Sequence, residues 1–253
     1  MTSARLVACL DVSNGRVVKG IGFRQLRDMG DAVALARRYE LEGIDEIVFL
    51  DVSATPEGRG SVLALAERAA GEVFVPLTVG GGIRSVEDIG RALRAGADKV
   101  AINTAAVDNP GLIDSASARF GAQCIVISID VRTTGARSTV WTRSGTADSG
   151  RTLIDWAREC ERRGAGELLV TSIDRDGTRQ GYDIEALGAV AEAVGLPVVA
   201  SGGAGGVADV VEVFRRTAVS AALVAGILHD GAVPVSAIKA ALVEAGLCVR
   251  RVA

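Results

Sequence analysis

The sequence alternates eight times between a short run of β-branched and apolar residues and a longer stretch with the period of an α-helix. The predicted strands are Leu6–Leu10, Glu46–Leu50, Val75–Val79, Lys99–Ile102, Cys124–Ile129, Glu167–Thr171, Pro197–Ala200 and Ala221–Val224. The predicted helices cover residues 31–42, 60–71, 85–95, 109–119, 151–163, 184–194, 206–215 and 233–245. Strict alternation predicts a parallel sheet, and eight units close it. The predicted fold is therefore α/β, a (β/α)8 TIM barrel.

The length and an internal repeat support this fold. The chain has 253 residues, which is typical of one uninterrupted eightfold barrel, so we expect a single domain over residues 1–253. The segment at 43–54, GIDEIVFLDVSA, resembles GAGELLVTSIDRDG at 164–177, and VGGGI at 79–83 resembles ASGGAG at 200–205. Such repeats predict two similar half-barrels related by a pseudo-two-fold axis.

Composition limits the kinds of partner that this chain can have. The net charge of −3 gives no basic surface of the kind that nucleic acids or anionic membranes require. Four widely spaced cysteines and a single histidine form no zinc motif, so we expect no metal and no cofactor. The first ten residues hold only a short apolar run, too brief for a signal sequence, and we expect a cytoplasmic protein.

Alternation along the strands indicates which side chains face the barrel interior. In the fifth strand Ile125, Ile127 and Ile129 share one face, which suits packing under helices. The other face is smaller and more polar and is expected to line the interior with Cys124, Val126, Ser128 and Asp130. By the same parity the interior receives Arg5, Val7, Cys9, Asp11, Lys99, Asn103, Glu167 and Thr171.

Asp11 and Asp130 end strands on opposite half-barrels. Barrel enzymes carry their chemistry at the carboxyl ends of the strands, so these side chains should face each other across the mouth. Two carboxylates in unequal surroundings suit a general acid and a general base. A single aspartate after a strand can instead cap the next turn, but this alternative weighs less for a matched pair.

Two glycine-rich loops follow the third and seventh strands, Gly80–Gly82 and Ser201–Gly205. Glycines let backbone N–H groups approach a phosphate closely, and the following helix N-terminus adds positive potential. The alternative is a tight turn that needs positive φ. Asn103–Thr104 and Ala225–Gly226 follow the fourth and eighth strands, which strengthens the phosphate interpretation. Two such sites predict a substrate with a phosphate at each end.

Two further groups of charged residues each allow two interpretations. The long segment 11–31 contains a predicted hairpin with Lys19, which is either a lid over a phosphate or a solvated surface hairpin. Because the chain has 25 arginines but three lysines, we favour the lid. Four charged residues begin strands at the amino end of the barrel and form either a stabilising plug or a gate. These are Arg5, Glu46, Lys99 and Glu167.

Taken together, six segments resemble the cyclase subunit of imidazole glycerol phosphate synthase, from histidine biosynthesis. They are ACLDV at 8–12, VVKG at 17–20, VGGGI at 79–83, DKVAINTAA at 98–106, SIDRDGT at 172–178 and ASGGAG at 200–205. The resemblance covers about residues 5 to 249. It implies a lyase that takes ammonia from a glutaminase subunit, which docks on the amino-terminal face of the barrel. The expected substrate is phosphoribulosyl-formimino-aminoimidazole carboxamide ribonucleotide, which carries two phosphates.

The resemblance also implies residue roles. The family's catalytic aspartates match Asp11 and Asp130, its ammonia gate matches the charged group Arg5, Glu46, Lys99 and Glu167, and Asp98 matches a position at the glutaminase interface. Substrate- and phosphate-binding positions match Lys19, Asp51, Gly82, Asn103, Thr104, Ser144, Thr171, Asp176, Gly177, Ser201, Gly202, Gly203, Ala225 and Gly226.

The sequence departs from the family in two places and leaves two rival functions. Gly226 stands where the family commonly has serine, and the segment 215–220 is one residue longer. The first rival is the sister isomerase of the same pathway, which shares the phosphate loops but needs no ammonia. The second is a sugar-phosphate-binding subunit without catalysis. The TSIDRDGT segment and the complete charged group favour the cyclase over the isomerase, and the retained aspartates argue against loss of catalysis.

Overall fold

The structure is a computed structural model that describes residues 3–13, 15–21, 24–52, 59–135 and 137–250, without the side chains of 19–21, 24–27 and 59–61. Its strands are β1 (Arg5–Ser13), β2 (Arg16–Ile21), β3 (Arg24–Asp31), β4 (Glu46–Asp51), β5 (Leu77–Gly80), β6 (Lys99–Ile102), β7 (Ile125–Thr134), β8 (Arg137–Thr142), β9 (Ala147–Thr152), β10 (Glu167–Ser172), β11 (Val198–Ser201) and β12 (Ala221–Val224). Its helices are α1 (Ala32–Leu41), α2 (Arg59–Ala70), α3 (Val86–Arg94), α4 (Thr104–Asp108), α5 (Gly111–Phe120), α6 (Leu153–Arg162), α7 (Ile184–Ala193), α8 (Val207–Arg216), α9 (Gly226–His229) and α10 (Val235–Glu244), and a 3-10 helix covers Ala122–Cys124.

Eight of the strands form a closed parallel barrel in the order β1, β4, β5, β6, β7, β10, β11 and β12. Closure comes from the pairing of β12 with β1 and of β10 with β7. All eight predicted strands and all eight predicted main helices are confirmed, and with them the (β/α)8 fold. Three strands start later than predicted. Two of them, β5 and β11, begin just after Pro76 and Pro197, which have no N–H to add to the ladder. The third, β7, begins after the 3-10 helix that holds Cys124.

Two antiparallel hairpins extend the barrel at equivalent positions. The predicted hairpin after the first barrel strand is confirmed as β2 and β3, which pair with each other and with the end of β1. A second hairpin, β8 and β9, was not predicted, and it pairs in the same way with the end of β7. Each half-barrel thus carries one hairpin after its first strand, as expected for the predicted pseudo-two-fold symmetry.

The barrel has an inner and an outer core. The inner core consists of small and medium apolar side chains: Val7, Cys9, Val48, Ala101, Val126, Leu169, Val199, Ala221 and Leu223. The larger outer core lies between the strands and the helices and contains Ile125, Ile127 and Ile129. The predicted parity of the fifth strand is confirmed for Val126, Ser128 and Asp130, which face the barrel axis. It is wrong for Cys124, because this residue lies in the 3-10 helix before the strand and packs against the outer core.

Helix starts follow capping side chains that satisfy the first free N–H groups. Asp31 accepts hydrogen bonds from the N–H groups of Val33 and Ala34 at the start of α1. Ser85 caps α3 through its bond from Asp88, and Thr152 and Asp183 cap α6 and α7 in the same way. These caps fix where each loop at the barrel mouth ends and its helix begins.

The C-terminal segment is tied to the floor of the barrel by a buried charge cluster. Asp45 binds Lys239 Nζ at 2.7 Å and Arg250 Nε at 2.8 Å through Oδ1, and accepts the N–H of Leu6 at 2.8 Å through Oδ2. Lys239 is only 5% exposed. A buried carboxylate with these partners fixes the start of β1, where Arg5 lies.

Among the helices of the described ranges, none is both long enough and apolar enough to cross a membrane.

We expect Gly166→Ala to destabilise the fold and Gly188→Ala to stabilise it. A Cβ at Gly166 would lie 2.1 Å from the carbonyl oxygen of Ala122, so backbone must move, at a cost of about 1–3 kcal/mol. A Cβ at Gly188, inside α7, would meet only a Thr217 methyl at 3.8 Å, and alanine there should add about 0.5–1 kcal/mol. Urea unfolding followed by circular dichroism measures both changes. Equal stabilities for the two variants would contradict the tight approach at Gly166.

Candidate active site

The mouth of the barrel, at the carboxyl ends of the strands, contains two cavities. The larger, of about 710 Å³, is lined by Asp51, Gly82, Asn103, Thr104, Asp130, Ser144 and neighbouring residues. The smaller, of about 110 Å³, is lined by Asp11, Asp176, Gly177, Ser201, Gly202, Gly203, Ala225, Gly226 and neighbouring residues. The structure thus divides most of the predicted site residues into two groups, each with one of the predicted catalytic aspartates.

Asp130 lies near the end of β7 and is oriented by an amide. Asn103, directly after β6, donates from Nδ2 to Asp130 Oδ2 at 2.9 Å. Burial raises the pKa of Asp130 to about 7, and the negative charge of Asp176 adds to the shift. The carboxyl therefore gains and loses its proton near neutral pH, as a general acid or base should.

Asp11 lies in β1, on the opposite side of the barrel from β7 in the strand order. Burial raises the pKa of Asp11 to about 7, and Asp176 raises it further, while a weak hydrogen bond from Cys9 lowers it. The thiol donates from Sγ to Asp11 Oδ1 at 3.7 Å. Two carboxyls of similar pKa, each with a different donor, let one carry a proton while the other is ionised near pH 7.

Asp176 is the negative charge that both carboxyls share. It lies in the loop after β10, on the rim of the mouth, where it is exposed to solvent on one side. Enough protein surrounds its carboxylate to raise the pKa of Asp176 itself, although the N–H of Gly177 acts in the opposite direction. Loss of the proton from Asp176 therefore makes proton loss at Asp11 and at Asp130 less favourable.

The glycine-rich loops are needed for close packing as well as for any ligand. Gly81 has φ of 96°, and a Cβ there would lie 2.4 Å from the carbonyl oxygen of Asp51. Gly203 has φ of 103°, and a Cβ there would lie 2.1 Å from the carbonyl oxygen of Gly181. The tight-turn interpretation is therefore correct at both positions. It does not exclude phosphate binding, because the same loops line the two cavities.

Two of the predicted site residues are placed differently from the rest. Thr171 is next to Asp130 in the strand register, but it lines neither cavity. Lys19 lies in β2, and its side chain is outside the described residues, so its role in a lid remains a prediction.

The four charged residues at the floor form a closed ring of ion pairs. Arg5 binds Glu46 and also Glu167, the latter at 2.6 Å, while Lys99 binds Glu46 at 3.0 Å and Glu167 at 2.8 Å. Burial alone would lower the pKa of Arg5 and of Lys99, but the two glutamates outweigh it and raise both. The ring closes the inner core at the amino end of the barrel, a geometry that suits both a plug and a gate.

Asp98, predicted at a partner interface, is exposed beside this ring and also has a structural role. Its Oδ2 accepts the N–H of Leu77 at 2.8 Å, which fixes the start of β5. This bond joins residues 21 positions apart, and nothing in the local sequence indicates it.

Sequence reasoning missed the part that the second hairpin plays at the mouth. Trp141, in β8, lies opposite Asp130 in the strand register, and its carbonyl accepts Asn103 Nδ2 at 3.4 Å. The guanidinium of Arg132 lies 4.2 Å from the Trp141 ring centroid, within range of a cation–π interaction. The other tryptophan, Trp156, is fully buried in the outer core, whereas Trp141 helps to hold the Asn103–Asp130 pair.

His229 has a structural contact and also borders the site. Its Nδ1 lies 2.7 Å from the hydroxyl of the fully buried Tyr39, and the two rings stack. The residue lines the smaller cavity beside Ala225 and Gly226. A lone histidine after the last strand carried no signal for this position, because Tyr39 is 190 residues away in the chain.

Comparison with known proteins identifies close relatives. The family described as "Histidine biosynthesis protein" matches residues 5–234. The chain is similar to imidazole glycerol phosphate synthase subunit HisF from Myxococcus xanthus, with 58% identity over 99% of both chains. It is also similar to the subunits of the same name from Sulfurisphaera tokodaii, at 54% identity over 99% of this chain and 100% of the relative, and from Hyphomonas neptunium, at 50% identity over 100% of both.

The raised pKa values predict how stability depends on pH. A carboxyl with a folded pKa of about 7 and an unfolded pKa of about 4 stabilises the fold while it is protonated. That contribution is lost as the pH rises through the folded value. Between about pH 5 and about pH 7.5 the wild type should therefore lose about 2 kcal/mol per carboxyl relative to Asp11→Asn or Asp130→Asn. Urea unfolding at both pH values measures the difference, and parallel losses in variant and wild type would contradict the shifts.

Proposed function

Because the chain belongs to the HisF family, the cyclase subunits of imidazole glycerol phosphate synthase, we propose that it forms imidazole glycerol phosphate with ammonia as the nitrogen donor. The proposed substrate is phosphoribulosyl-formimino-aminoimidazole carboxamide ribonucleotide, and the second product is aminoimidazole carboxamide ribonucleotide. Family membership decides for the cyclase against the sister isomerase and against a subunit without catalysis. We also propose that residues 1–253 form one domain, since the barrel and its helices run from Arg5 to Glu244.

The observation that carries the proposed chemistry is the pair of buried carboxyls with pKa values of about 7, Asp11 and Asp130. Ammonia attacks the ribulosyl carbonyl, and water must leave before an imine forms. One carboxyl gives a proton to the departing oxygen, and the ionised partner takes a proton from the nitrogen. The same pair can then move the protons that ring closure and cleavage require. Because the two carboxyls lie on opposite sides of the mouth, they can transfer protons on both faces of the reacting carbon.

The two groups of loops support the binding of a substrate with two phosphates. At one end Gly82, Asn103 and Thr104 line the larger cavity, and at the other Gly177, Gly203 and the Ala225–Gly226 turn line the smaller one. Asp51, Ser144, Ser201 and Gly202 line the space beside them, and Thr171 lies next to Asp130. Lys19, on the hairpin after β1, completes the proposed binding residues as part of a lid. Gly226 offers no side-chain hydroxyl to a phosphate, unlike the serine that is common in the family.

The floor of the barrel supports a route for ammonia from a partner subunit. We propose that a glutaminase subunit docks on the amino-terminal face, where Asp98 is exposed, and that ammonia passes the ring of Arg5, Glu46, Lys99 and Glu167. Beyond the ring lies the inner core of small apolar side chains, which neutral ammonia crosses at less cost than an ion. We propose no metal and no cofactor for any step.

The purified chain should form imidazole glycerol phosphate from the formimino substrate with an ammonium salt at alkaline pH, without a partner. Asp11→Asn and Asp130→Asn should each lower turnover by at least about 100-fold, since each removes a proton-transfer group. Asp114→Asn is the matched control, because Asp114 is an outer carboxylate paired with Arg163 on the helices, and its turnover should not change. Product analysis by chromatography gives the rates. Undiminished turnover in Asp130→Asn would remove the acid–base assignment, and no product from the wild type would remove the proposed function.

A gate and a plug predict different results for Lys99→Met. If the ring admits ammonia, this variant should keep its ammonium-dependent turnover but lose glutamine-dependent turnover several-fold in the complex with the glutaminase. Lys239→Met is the matched control, because it also removes a buried cation from the floor but leaves the ring intact. Parallel assays with glutamine and with ammonium measure both activities. Equal losses in the two variants would mean that the ring only stabilises the floor.

A further inference from the structure

Arg143 lies at the tip of the β8–β9 hairpin and lines the larger cavity together with Asn103 and Thr104. Its backbone N–H donates to Thr104 Oγ1 at 3.0 Å, so the tip of the hairpin is fixed to the proposed phosphate loop after β6. The resemblance to the cyclase family implies no role for Arg143. The contact places an exposed guanidinium beside the residues proposed to bind one end of the substrate.

The backbone at Arg143 is held in a conformation that side chains disfavour. Arg143 has φ of 54° and Ser144 has φ of 55°, both in the left-handed region that suits glycine. Thr146 maintains this turn, because its Oγ1 donates to the Arg143 carbonyl at 2.7 Å and its N–H reaches the same oxygen at 3.3 Å. A glycine would relieve the strain at 143, so the arginine side chain costs stability. Strain of this kind is found where a side chain serves binding or catalysis.

Binding of a phosphate in the larger cavity requires a cation, because acidic side chains line this cavity. Three carboxylates line it, those of Asp51, Asp108 and Asp130, and they repel a phosphate dianion. The N-terminus of α3 offers little compensation, because Asp88 already accepts the N–H of Arg84 at 2.9 Å and Ser85 caps the helix.

Two cations line this cavity, Arg84 and Arg143. Neither has an ion-pair partner among the residues that the structure describes. Only Arg143 has its backbone bonded to a proposed phosphate-binding side chain, that of Thr104. A guanidinium matches phosphate oxygens with two parallel N–H donors, and the backbone bond to Thr104 favours Arg143 over Arg84 for this role.

We propose that Arg143 is a substrate-binding residue whose guanidinium binds the phosphate at the Asn103–Thr104 end of the substrate. The inference rests on the proposed cyclase function and adds a specificity residue to it. The β8–β9 hairpin then has a role that the barrel alone does not provide, because it carries a second cation, beside Arg84, to a cavity that three acidic side chains line.

Steady-state kinetics with the formimino substrate and ammonium test this role. Arg143→Ala should raise KM by about 10- to 100-fold, the range for loss of a hydrogen bond to a charged group, with little change in kcat. Arg143→Lys should recover part of the affinity, since the charge remains but the paired donors do not. The competitive inhibition constant of inorganic phosphate should rise together with KM. Arg137→Ala is the matched control, because it removes an exposed arginine from the base of the same hairpin and should leave KM unchanged.

Arg143→Gly separates binding from folding, because the two effects go in opposite directions. It should resist urea better than the wild type, since glycine accepts the positive φ, yet its KM should rise as in Arg143→Ala. A KM for Arg143→Ala and Arg143→Gly equal to that of Arg137→Ala, with an active wild type, would overturn the role of Arg143 and leave the cyclase function standing. An inactive wild type would instead overturn the proposed function itself.

Discussion

The closure of the parallel barrel is the constraint on which every other feature depends. When β12 pairs with β1, and β10 with β7, all eight strands point the same way around a common axis. Residues 119 positions apart in the chain, Asp11 and Asp130, are then carried to the same end of the barrel on opposite walls. Four charged residues that begin strands are carried to the other end by the same closure. One topological fact thus creates both a mouth and a floor.

The two ends of the barrel treat buried charge in opposite ways. At the floor, two cations and two anions alternate in a closed ring, so that each charge has partners on both sides. Such pairing raises the pKa of Arg5 and of Lys99 in spite of burial. At the mouth, Asp11 and Asp130 have neutral donors, a thiol and an amide, and a third carboxylate nearby. Among the described residues no cation offsets burial at these carboxyls, and burial raises their pKa values to about 7. Burial therefore accompanies a stable ring of ion pairs at the floor, and at the mouth it produces two carboxyls that can exchange protons near neutral pH.

Much of the fold and part of the site could be predicted from the sequence, because both follow from short-range periodicity. Alternation along the fifth barrel strand predicted that Ile129 faces the helices and that Asp130 faces the interior. The internal sequence repeat predicted two similar half-barrels. What could not be predicted rests on contacts between distant segments. The strands β8 and β9 lack the apolar alternation that indicates a strand. The sequence of β9, ADSGRT, forms a strand because it pairs with the neighbouring strand β8. The bonds from Tyr39 to His229 and from Asp98 to Leu77 likewise have no local signature. The glycine-rich loops lie at the mouth, as predicted, but phosphate binding is not the only reason for their glycines. Gly81 and Gly203 are required for packing even without a ligand.

The arrangement at the mouth also explains why a phosphate-binding cation there should stand apart from the catalytic carboxyls. A guanidinium against Asp130 would stabilise the carboxylate and lower its pKa, removing the proton donor that the chemistry needs. Asp130 is instead bonded to the neutral Asn103, and within the described part of the chain no cation contributes to the shift of its pKa. Arg143 lines the same cavity from the tip of a hairpin and is anchored through its backbone to Thr104 rather than to a carboxylate. Separation of these two charges by the Asn103–Thr104 segment lets one cavity hold an anionic substrate and still keep a titratable acid.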